Sequence, residues 1–223
     1  MTVTETKLTE MKEQLFAMAA IVESMVEASV RALVDRDHAL VKRVVEEDEP
    51  KVNRFENENE DAAINLIALH QPEASNLRAI VMIIKLNKDL ERIGDHAVNI
   101  ANAAEFLIDR PQVKPLIDLP RMAEHTVRML RDALDSFSDR EPDKARDVCR
   151  RDEVVDSLRS QINRELVTYM TSDATTIDRA LKLMLISMNL ERIADLATNV
   201  AEDAIYMVEG EVIKHGAADR QEE

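Results

Sequence analysis

The ten residues from Leu90 to Asn99, LERIGDHAVN, return as LERIADLATN from Leu190 to Asn199. Glu91, Arg92, Ile93, Asp95, Ala97 and Asn99 each meet an identical residue one hundred positions on, with no gap. The likeness continues outward, through Lys85-Leu86 against Leu185-Ile186 and Ile100-Ala101 against Val200-Ala201. A repeat of this period constrains the fold more than any local propensity, because each copy must be one packed supersecondary unit. The chain is therefore two copies of one unit.

The kind of unit follows from what the sequence lacks. Three Gly, six Pro and 3% aromatics among 223 residues leave few tight turns and little material for sheets. Ala, Leu, Glu, Arg and Met are helix formers and dominate instead. Leu8, Leu15, Met18, Val22, Met25, Val26, Ser29, Val30 and Leu33 recur every three or four residues, the mark of a helical apolar face. Asp35-Arg36-Asp37-His38 breaks that pattern, which resumes from Ala39 to Leu69. Pro50 lies inside this second segment and predicts a kink or restart near Glu49. After His70-Gln71-Pro72-Glu73 a third helix is predicted from Ala74 to Ile108. Three prolines between Arg110 and Pro120 mark the joint of the halves. The second half repeats the plan with helices from about Arg121 to Phe137, Asp143 to Tyr169 and Thr171-Ser172-Asp173 onward to Val208. Ser172 or Asp173 is expected to cap the last helix, Gly210 to end it, and Gly216 to Glu223 to be loose. The expected fold is all-α: two tandem three-helix bundles of six long antiparallel helices, divided at 1–112 and 113–223.

The third helix of each half carries two stripes. Ile83, Leu86, Leu90, Ile93, Ala97, Ile100, Ala104 and Leu107 step three and four, as do Leu183, Ile186, Leu190, Ile193, Ala197, Val200, Ala204 and Met207. That is a bundle seam and structural. Pointing away from it, Glu91, Asp95 and Asn99 step by four, as do Glu191, Asp195, Asn199 and Asp203. Carboxylates four apart repel by about 0.2–0.5 kcal/mol. A hard divalent cation bridging them relieves the repulsion, because such ions favour oxygen ligands. The second helices echo the spacing in Asp152 and Asp156, and in Glu49 and Asn53, where the distal acid has become an amide. The bland alternative is a solvated acidic face, with Arg92 and Arg192 placed for ordinary surface ion pairs.

Several function classes fall away. A formal charge of −15 is the wrong sign for nucleic acid. No run of about eighteen apolar residues exists to span a membrane. No apolar leader precedes the first helix, and the single Cys149 suits a reducing compartment, so a cytoplasmic protein is expected. His38, His70, His96, His125 and His215 have no repeat partners and no zinc-type spacing. His96 is expected at the surface. Cys149 lacks a repeated His or acid partner and is a poor nucleophile. Three scattered glycines make no phosphate loop.

LERIGDHAVNIA and LERIADLATNVA, each closing a three-helix half, closely resemble the PhoU family of phosphate-transport regulators. The resemblance covers almost the whole chain, including DRDHALVKRVVEEDE, QPEASNLRAIVMIIKLNKDLERIGD, SDREPDKARDVCRRDEVVD and YMTSDATTIDRALKLMLISMNLERIAD in that order. It implies a non-enzymatic negative regulator of phosphate uptake and phosphate-starvation signalling. The implied partners are the ATPase of the phosphate ABC transporter and the phosphate-sensing histidine kinase, and a homodimer is expected. It implies metal clusters, of iron, zinc, manganese or magnesium, at E/D-xxx-D motifs. Residue by residue these fall on Glu91 and Asp95, on Glu191 and Asp195, on Asp152 and Asp156, and on Glu49. Asn53 departs from the motif and Ala194 stands where Gly94 fits it, so one cluster is expected to be weaker than the other. Two alternatives stay open: a metal-dependent phosphate-ester hydrolase and a metal-free helical adaptor.

Overall fold

The structure is a computed structural model that describes residues 3–209. The tail expected to be loose, and Gly210, lie outside them. Seven α-helices account for nearly all of that span: α1 (Val3–Asp35), α2 (His38–Lys42), α3 (Glu49–His70), α4 (Ala74–Ile108), α5 (Asp118–Asp139), α6 (Pro142–Ser172) and α7 (Ile177–Glu209). A π-helical turn, Arg43–Asp48, joins α2 to α3, so six long helical rods result. In the first half α3 and α4 pack on α1 and on each other, and α5, α6 and α7 repeat this arrangement. The halves meet where α4 crosses α7 and α1 meets α5.

The apolar seam dictates this assembly. Of the sixteen seam residues on α4 and α7, all but Met207 are buried. Burying each Leu or Ile contributes about 1.5–3 kcal/mol. Both central helices have neighbours on three sides, which is why fifteen residues of α4 and fourteen of α7 are buried. The outer helices are held by much less: α3 buries only Val52, Asn59, Ala63 and Leu66. Gly94 lets α3 approach α4, since a Cβ there would stand 3.3 Å from Val52 Cγ1.

The restart expected near Glu49 has a specific origin. Asp37 caps α2, its carboxylate accepting from Ala39 N–H, and Glu141 occupies the same place before α6. Glu49 stands twelve residues after Asp37, whereas Asp152 stands eleven after Glu141. The first half thus carries one extra residue, and the π turn absorbs it, as single insertions into helices commonly are. Pro50 follows in the first turn of α3, where its missing N–H leaves no bond unmade. The turn also brings Asp48 inward; it is 5% exposed and paired with Arg43 at 2.9 Å and Lys51 at 2.8 Å.

Other boundaries shift slightly. The helix α5 starts three residues earlier than its apolar pattern does. The helix α6 continues through Thr171 and Ser172, whose hydroxyls donate back to the Val167 and Thr168 carbonyls. Asp173 then caps a short 3₁₀ turn by accepting from Thr175 N–H.

A buried amide pair fixes the height of α3 on α4. Asn59 Nδ2 donates to Asn87 Oδ1 at 2.9 Å, and Asn87 Nδ2 donates to the Glu56 carbonyl at 2.9 Å. The second half has Ile162 and Ser187 at the matching positions. Asn87→Ala leaves the Asn59 amide buried and unmet, and should lower unfolding stability by about 1–3 kcal/mol. Adding Asn59→Ile and restoring position 87 as Ser, the second-half pair, should recover most of that loss in urea denaturation.

Candidate functional site

Two inter-helix clefts, one in each half, collect the acidic motifs. The first lies between α3 and α4. Glu49, Asn53 and Glu56 occupy positions i, i+4 and i+7 of α3 and so share one face. Asn53 Nδ2 donates to Glu49 Oε1 at 3.2 Å. Across from them Glu91 is half-buried and Asp95 exposed. Burial raises the Glu91 carboxyl above its ordinary range, and the neighbouring Asp95 and Glu56 carboxylates add to this. Lys88 and Arg92 act in the opposite sense.

The second cleft lies between α6 and α7. There burial, then Asp156, Asp195 and Glu191, push Asp152 up to about 6. Its Oδ1 atom is buried without a hydrogen-bond partner. Glu191 accepts a hydrogen bond from Arg159 Nη1 at 2.8 Å. Its carboxyl is nonetheless raised, because burial outweighs the guanidinium and Asp195 and Asp156 oppose it. The second cleft thus gathers four carboxylates; the first brings Glu56 to Glu91 and Asp95, with Glu49 further back along the same face of α3.

This donor set is of the kind a hard divalent ion takes, and Asp152 Oδ1 is a buried acceptor that no protein donor meets. The clefts are not closed coordination shells: among the described residues, no three His, Cys, Asp or Glu side chains are set around one point for a metal ion. Any ion would need side-chain rotation to gather its ligands.

The PhoU domain family matches this chain twice, over residues 15–104 and 119–204, each match spanning one cleft. The chain belongs to the PhoU family. A PhoU homolog of Aquifex aeolicus, named as a phosphate-specific transport system accessory protein, is 40% identical over 94% of both chains. The Escherichia coli accessory protein PhoU is 34% identical over 96% of this chain and 88% of its own length. The crystal structure of PhoU from Pseudomonas aeruginosa superposes with a TM-score of 0.89 at 35% identity, covering 93% of this chain and 99% of that one. PhoU from Streptococcus pneumoniae shares the fold, with a TM-score of 0.85 at 24% identity over 95% of this chain and all of that one.

Within this PhoU chain the remaining motif residues fall elsewhere. Asp203 accepts from Lys85 Nζ at 2.8 Å across the α4–α7 crossing. Beside it Asp89 is pushed up to about 6 by burial and then by Asp203. Asn99 is exposed and Asn199 half-buried. His96 is not the surface residue its sequence context suggests. It is half-buried at the same crossing, with Nδ1 2.9 Å from Asn189 Oδ1. Burial, chiefly, lowers its pKa. The Cys149 thiol is pushed up to about 11 by burial, then by Glu202 and Asp152, and stays protonated at neutral pH.

Two cleft residues escape a motif search, Glu56 and Arg159. Each lies one helical turn beyond the motif, seven residues after Glu49 and Asp152. A search for acids at i, i+4 stops one turn short of them. Because Glu91 is repelled by both Asp95 and Glu56, Glu91→Gln should raise the melting midpoint of chelator-treated protein by about a degree in scanning calorimetry.

Proposed function

We propose that this chain is a non-catalytic regulator of phosphate uptake and of phosphate-starvation signalling. It acts by protein contact with the cytoplasmic ATPase of a phosphate ABC transporter and with a phosphate-sensing histidine kinase. Divalent cations held by the cleft acids pin an outer helix to its central neighbour and so set the docking surface. The observation that carries the reading is the near full-length match to proteins named as accessory to phosphate-specific transport. A charge of −15 on a helical body supports it, since such a surface speeds encounter with basic faces of partners. No described helix is long and apolar enough to cross a membrane.

The hydrolase reading has less support. Two-metal hydrolysis works best in a shaped cavity that excludes water. The motif acids lie instead in shallow inter-helix clefts that leave Asp95, Asp156 and Asp195 exposed to water. A groove of about 390 Å³ between α1 and α5 is lined by Val30, Val34, Val127 and Arg131, among others, and contains none of those acids. In a pull-down with the purified transporter ATPase in manganese buffer, Glu91→Gln with Asp95→Asn should reduce capture several-fold. Capture equal to that of the unaltered chain rejects the docking role of the cleft. Manganese-dependent release of phosphate from a phosphomonoester, lost in the same variant, would favour the hydrolase.

A further inference from the structure

The two clefts differ most at one matched position. Glu56 of α3 and Arg159 of α6 occupy equivalent places, seven residues after Glu49 and Asp152. In the first cleft this position supplies a carboxylate that raises Glu91. In the second it supplies a guanidinium bonded to Glu191 at 2.8 Å. We propose that Arg159 is a built-in cation that closes the α6–α7 cleft to divalent ions, leaving the α3–α4 cleft as the one that loads first. The proposal rests on the reading of both clefts as cation sites.

The argument is one of competition for the same oxygens. Arg159 is half-buried, and its Nε is a buried donor without a partner, while its other nitrogens reach the Glu191 carboxylate and solvent. Its guanidinium does not deprotonate in proteins and cannot be neutralised to make room. An ion that takes Glu191 Oε1 as a ligand must displace Arg159, and one that takes the other oxygen stands beside a fixed positive charge; the repulsion is only partly screened, since the Glu191 side chain is 17% exposed. The other charged groups facing the cleft, Asp152 and Asp156 from α6 and Glu191 and Asp195 from α7, are acids. Arg192 also tempers Glu191, from the exposed side of α7. In the first cleft the amide of Asn53 removes one carboxylate and Glu56 restores it. That cleft gathers Glu56, Glu91 and Asp95, and the cations acting on Glu91, Lys88 and Arg92, are exposed.

The experiment is manganese binding by isothermal titration on the full chain, with paramagnetic resonance to count bound ions and circular dichroism to confirm helicity. Arg159→Gln should add a class of sites absent from, or at least tenfold weaker in, the unaltered chain. Adding Asp152→Asn should abolish that class. Arg159→Lys keeps the charge and should leave the cleft closed, whereas Arg159→Glu copies the first cleft and should open it. If Arg159→Gln and Arg159→Glu bind manganese with unchanged number and affinity, the proposal is overturned, whatever the first cleft does. The underlying reading fails separately, if Glu91→Gln with Asp95→Asn leaves manganese binding by the full chain unchanged.

Discussion

The enclosure of α4 and α7 governs the rest of this molecule. Each has helices on three sides, so each keeps only one strip of surface for anything other than packing. On that strip both carry Glu and Asp four residues apart. The outer helices α3 and α6 lie along the strip and bring their own acids to it. They are the less firmly held elements, burying four of 22 and six of 31 residues respectively. For α3 the apolar contribution comes from Val52, Ala63 and Leu66, each Val or Leu adding about 1.5–3 kcal/mol. Carboxylate repulsion of even about 1 kcal/mol is a sizeable fraction of that. On the proposed reading, the grip of an outer helix is set by the cation that lies between it and its neighbour.

The two halves meet this requirement differently. In the second, an arginine of the chain itself does part of the work. In the first, the same place holds a further carboxylate, and the helix is positioned by the buried Asn59–Asn87 pair and by the close approach that Gly94 permits. The first half also carries the extra residue taken up by its π turn. Had that residue been accommodated as ordinary helix, the residues after it would turn by about 100°, and Glu49 and Glu56 would leave the cleft. The π turn preserves the acidic face at the expense of burying Asp48, which Arg43 and Lys51 then compensate. Both departures from strict repetition act on the outer helix, and neither disturbs the seam.

This division explains what the sequence discloses. The seam is legible because burial imposes a 3.6-residue period on many positions at once, and the hundred-residue offset doubles the signal. The placement of Glu91, Asp95, Glu191 and Asp195 opposite the seam follows from the same period. The meeting of Asp152 and Asp156 with them is a tertiary fact, since two helices one loop apart can pair at several heights. Glu56 and Arg159 are invisible for a different reason: their importance lies in being unlike each other, while repeat analysis rewards likeness. His96 misleads because its neighbour Asp95 is exposed, and only the crossing of α4 over α7 buries the next position. Asp203 continues the acidic stripe in sequence, yet the slow drift of four-residue steps around the helix carries it to that crossing and to Lys85.

Hydrogen–deuterium exchange resolved along α3 and α6, in chelator and then in manganese, tests the idea that cations set the grip of the outer helices. In chelator, amides of α3 should exchange faster than those of α6, which has both more buried residues and Arg159. Manganese should slow α3 strongly and α6 little. Equal exchange of the two helices in chelator, with no change in either on adding manganese, would contradict the account.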